Sequence, residues 1–227
     1  MSNYDKLTLS EIRTAVRGKL DDDSYDADLI DEAANDFQNE LFTNHRIRSM
    51  ESSDTINISA DDYTIDFPVD FLTMLELTII DSSSNYENIK DGYLNYNQFM
   101  RDHANFSVAT ATRPRQWTEF GGGARFTAPS DAAYTANIDY LRLPELMVND
   151  SDESEVRKVW KEMFTIGTLA RVMEINEDYA EASQERDKLD PLVTAFVARE
   201  GRGQIKTGPI IMSTRRGRKT LGSTRSI

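Results

Sequence analysis

The chain has 227 residues, 39% of them hydrophobic and 29% charged, with no cysteine. That length suits one large domain or two small ones, and no apolar run approaches the 18 residues of a membrane span. Without cysteine there is no disulfide framework, thiolate nucleophile or cysteine-ligated zinc, which fits an intracellular origin. The opening MSNYDKLTLSEIR lacks the apolar core of a secretory signal. The net charge is −13, unevenly spread: residues 201–227 carry +7 and no acid, which leaves −20 on residues 1–200. An acidic body with a basic end marks an interaction arm, and the body itself repels nucleic acid.

Thr8-Leu-Ser-Glu11 has capping-box spacing, and Leu9, Ile12, Ala15, Val16 and Leu20 recur at helical intervals, with a stop near Gly18. The polar turn Asp21-Asp-Asp-Ser24 leads into a second helix striped by Leu29, Ile30, Ala33, Ala34, Phe37, Leu41 and Phe42, fading near Asn44. The period then changes to two. Thr55–Ser59 and Tyr63–Phe67 alternate across an Ala60-Asp-Asp62 turn, as in a hairpin. Pro68 to Leu72 interrupts, Met74–Ile80 resumes as a strand, and Ser82–Asn85 is a loop. Leu94–His103 reads as a short helix. Gln116–Phe120 and Ala124–Thr127 flank Gly121-Gly-Gly123 as a hairpin, and Tyr134–Leu143 is the last strand.

Asp152-x-x-Glu155 is a second capping-box candidate, opening a helix striped by Val156, Val159, Trp160, Met163, Ile166, Gly167, Ala170 and Met173. Asn176 is expected to cap a further helix through Tyr179, Ala182, Leu189, Leu192 and Phe196, kinked or broken at Pro191. No internal repeat is present. The order defines an α+β fold. Helices at both ends form a bundle with a central antiparallel β-rich insertion and an extended C-terminal arm. The expected units are residues 1–50, N-terminal helices; 51–145, β-rich; 146–200, C-terminal helices packing on the first pair; and 201–227, the basic arm.

Few residues offer chemistry. His45 and His103 stand outside any metal-ligand spacing and read as surface groups, and no nucleophile elbow or phosphate loop is present. Asp21, Asp23, Tyr25 and Glu32 fall at positions 1, 3, 5 and 12 of a calcium loop, but the sixth position, which needs glycine, is Asp26. A helix-capping acidic turn is the better reading. Trp117 and Trp160 read as packing residues rather than base-stacking platforms, Arg113 and Arg115 being the sole basic pair beside Trp117. No catalytic set, cofactor or metal is expected, and the chain reads as a non-enzyme. The arm mixes Arg202, Lys206, Arg215, Arg216, Arg218, Lys219 and Arg225 with Ile210, Ile211, Met212 and Leu221. Those apolar anchors exceed what solubility requires and suit docking on a partner.

The layout resembles the head–tail connector adaptors of tailed bacteriophages. The resemblance rests on TLSEIRTAVRGKLDD, the Tyr-x-Ile-x-Phe-Pro-x-Asp-Phe-Leu element at Tyr63–Leu72, the Gly-rich hairpin, Tyr-Leu-Arg-Leu-Pro at Tyr140–Pro144, and Asp178-Tyr-Ala180. It covers roughly residues 5–198. It implies a homo-oligomeric ring in the virion neck, commonly of twelve copies, made in the host cytoplasm and seated under the portal protein. Such a ring extends the channel for genomic DNA, serves DNA ejection, and receives the tail or nozzle protein, while the arm grips the portal. A stopper or tail-completion protein, and a nucleic-acid-binding module working through the basic arm, stand as alternatives.

Overall fold

The computed structural model describes residues 5–201. Strand β1 (Lys6–Thr8) runs into helix α1 (Leu9–Leu20) through a complete capping box. The Thr8 hydroxyl accepts from the Glu11 amide at 3.3 Å, and the Glu11 carboxylate accepts from the Thr8 amide at 3.1 Å. The helix passes Gly18 and ends where Asp21 turns left-handed at φ 54°. Helix α2 (Ala27–Asn44) begins under Asp26, whose carboxylate accepts from the Asp28 amide. Between them the Arg17 guanidinium donates twice to the Tyr25 carbonyl. The acidic stretch is a helix-capping turn.

Helices α4 (Lys161–Ile175) and α5 (Tyr179–Glu200) complete a four-helix layer. Residues 163–170 are all buried, so α4 is enclosed on every side and forms the centre of the bundle. It approaches α2 closely because Gly167 has no side chain: a Cβ there would stand 2.2 Å from the Phe37 ring. That ring meets Phe164 edge-on, with centroids 5.4 Å apart. Each such buried side chain contributes on the order of 1.5–3 kcal/mol by leaving water. At the bundle surface Glu40, Arg171, Glu174 and Arg186 join α2, α4 and α5 in one ionic network. The Arg186 guanidinium, helped by Arg171, holds the Glu174 carboxyl below its ordinary value.

Two antiparallel sheets form the second core. Strands β2 (Glu51–Ile58), β4 (Phe71–Ile80), β5 (Tyr86–Asn88) and β8 (Tyr134–Arg142) are ordered β2-β8-β4-β5. Strands β3 (Thr64–Asp66), β6 (Trp117–Phe120) and β7 (Gly123–Phe126) are ordered β3-β7-β6. Leu77, Ile79, Ala136 and Ile138 from the first sheet pack with Ile65, Ala124, Phe126 and Trp117 from the second. Helix α3 (Tyr96–Asp102) packs beside β6 and buries Phe99 fully. Strand β8 serves both cores, since Tyr140 enters the sandwich while its neighbour Leu141 enters the helical core. Period-two alternation makes that division possible. The architecture is α+β: a helical bundle built from both ends of the described chain, carrying a central antiparallel β region.

Several local expectations are corrected. Thr55–Ser59 and Tyr63–Phe67 do not pair. Strand β2 matches β8 over eight consecutive residues, whereas β3 matches β7 in the other sheet. The Asp61 amide donates to the Ser130 carbonyl and the Ser130 amide to Asp62, which sends the chain across the sandwich. Asp152 does not open a helix. Its carboxylate accepts from the Val148 and Asn149 amides, and Glu153–Arg157 is strand β9, paired with β1. Val156 is accordingly a buried strand residue, and Val159 is exposed. Asn176 ends α4 rather than capping α5, whose N-cap position is Asp178. Pro191 does not interrupt α5; it lies on the exposed side, where water can meet the carbonyl that proline leaves unpaired.

Candidate assembly surfaces

The arm residues singled out from the sequence, from Arg202 and Lys206 through Ile210, Ile211 and Met212 to Arg215, Arg216, Arg218, Lys219, Leu221 and Arg225, lie outside the described residues. What the structure shows is the root from which the arm leaves. Gly201 forms an antiparallel bridge with Ile47, and its amide donates to the Val197 carbonyl at 2.9 Å. A side chain there would press on backbone, with the Val197 oxygen 2.4 Å from an added Cβ. Glycine is therefore required by close approach rather than by φ.

Around this root lies a cleft of about 390 Å³ lined by Lys6, Arg48, Arg157, Arg199, Glu155 and Glu200 with the apolar Ile47 and Phe196. Two buried carboxylates organise it. Glu155 accepts from Lys6 Nζ at 2.8 Å and Arg142 Nη2 at 2.6 Å, and its backbone amide donates to Gln38 Oε1 at 2.8 Å. Glu200 accepts from Arg157 and, at 3.2 Å, from the Trp160 indole. Trp160 stands edge-on to Phe196 with centroids 5.4 Å apart. The arm root is thus fastened to β9 through Arg157, to Trp160 and to Ile47, just beyond α2. Sequence reasoning missed this cluster, because Lys6 and Glu155 stand 149 positions apart and neither carries a local signal.

The other candidates resolve as packing. Trp117 is buried and its indole donates to the Ile89 carbonyl at 3.0 Å. Arg113 pairs with Asp81 and Glu87, and Arg115 with Glu87, so the basic pair is matched by acids. His45 and His103 are half-buried rather than fully surface-placed, and burial pushes the His45 imidazole below its ordinary value. Among the described residues no group of three His, Asp or Glu side chains is placed to hold a metal ion. No helix among them is long and apolar enough to cross a membrane.

The described chain is thus an α+β frame of two joined cores, with ion pairs gathered where Gly201 leaves α5. The chain belongs to the SU10 adaptor protein family, whose model matches residues 7–210, and it is therefore a phage adaptor protein. No curated protein matches it.

Proposed function

We propose that this chain is the head–tail adaptor of a tailed phage, forming a ring under the portal, with residues 202–227 as the clasp on the portal protein. Charge segregation carries the reading: −20 on residues 1–200 against +7, without one acid, on residues 201–227. An acidic channel wall repels phosphates, so DNA slides through without adhering. A basic arm with apolar anchors suits an acidic groove on a partner. The anchored root at Gly201 supports the same reading, since an arm under load needs a fixed base. In this role the protein is structural rather than catalytic, sits in the virion neck, and offers its far face to the tail or nozzle protein.

Copy number tests the ring. Quantitative mass spectrometry of purified particles is expected to find this chain and the portal protein both in multiple copies, at a fixed small-integer ratio. One copy per particle would overturn the ring.

A further inference from the structure

The three-stranded sheet carries an unusual surface on the side away from the sandwich core. Arg125 on β7 stands opposite Thr118 on one flank and Thr64 on the other. Its guanidinium lies between two rings, 3.9 Å from the Phe120 centroid and 4.9 Å from that of Phe106. Two polar atoms on this face have no partner. Arg125 Nε is buried without a hydrogen bond, and so is the hydroxyl of Thr118, a residue with no exposed surface. No carboxylate among the described residues pairs with Arg125.

The rim is aromatic and open. Tyr96 stacks on Phe120 with centroids 5.2 Å apart and planes 15° apart. Tyr96 and Phe120 remain 41% and 46% exposed. Tyrosine, phenylalanine and arginine are the residues enriched at interface centres. Like-charged copies of an acidic protein repel, and a ring needs cations that are not already matched within their own subunit. Arg113, Arg142 and Arg171 are so matched; Arg125 is not.

We infer that this face is the lateral contact between neighbouring copies in the ring, taking a carboxylate of the next copy on Arg125 and an apolar side chain on Tyr96 and Phe120. The inference rests on the ring proposed above. The occupant is a second copy because residues 1–200 at −20 present carboxylates widely. The contact is heterologous: two copies meeting through this same face would set Arg125 against Arg125. Heterologous contacts repeated around an axis close rings.

The experiment uses phage particles in which Phe120 is replaced by the photoreactive p-benzoylphenylalanine. Illumination is expected to give a covalent dimer of this chain, and Arg125→Glu in the same background is expected to reduce that dimer at least tenfold. Position 96 takes the photoreactive residue if position 120 is not incorporated. Crosslinks only to other virion proteins, or none at all in particles that hold several copies, would overturn the contact and leave the ring standing. Particles with a single copy would overturn the ring and this contact with it.

Discussion

Replacing Glu155 by alanine is expected to destabilise the protein by about 3–5 kcal/mol, the cost of breaking a buried ion pair from one side. The carboxylate has only 6% of its side-chain surface exposed and bridges Lys6 to Arg142. Lys6, about one-third exposed, can turn to water, but Arg142, at 20%, keeps a charge close to the interior. The loss has consequences beyond electrostatics, because β1, β9 and the arm root meet at this point. Urea denaturation should show a lowered midpoint at unchanged slope, which reports stability rather than a change in the exposed area. Removing both partners, as in Glu155→Leu with Arg142→Met, is expected to recover most of the loss, since matched apolar groups carry no desolvation penalty. A loss below about 1 kcal/mol for the single variant would show that water reaches the pair.

Phe164→Ala acts through packing instead. The ring is fully buried and sits edge-on to Phe37, which itself lies over Gly167. Truncation opens a cavity where α2 crosses α4, and the close approach at Gly167 leaves the helices little room to collapse into it. The expected cost is about 3–5 kcal/mol. For a chain of this size that lowers the melting temperature by roughly 10 °C. Val69→Ala, at a side chain wholly exposed on the loop before β4, should fall within about 0.5 kcal/mol of the parent. Equal losses at both positions would contradict the packing account.

Legibility in the sequence followed the range of the interactions. The Thr8–Glu11 box and the Gly121–Gly123 hairpin are closed by neighbours in the chain, so their spacing alone located them. The alternation of β8 was equally plain, because Ala136, Ile138 and Tyr140 share one buried face. Asp152-x-x-Glu155 misled because an aspartate that gathers loop amides and one that caps a helix have the same local pattern. What decided between them was β1, three residues long and paired with a segment almost 150 positions away. The separation of Thr55–Ser59 from Tyr63–Phe67 into different sheets was likewise set by Ser130, far along the chain. Pro191 was read by its usual effect, yet an exposed position in a long helix tolerates it. The arm was legible as charge, while its anchored root was not, for Glu155 and Glu200 become special only once the helices and strands meet around them.

The central claim is that a phage adaptor holds its portal through a basic arm. Native mass spectrometry of the portal protein of the same phage, mixed with the full chain or with residues 1–201 alone, tests it directly. The full chain is expected to load several copies onto each portal, and the shortened chain, folded by its melting curve, none. Equal loading by both chains, or no complex with either, would contradict it.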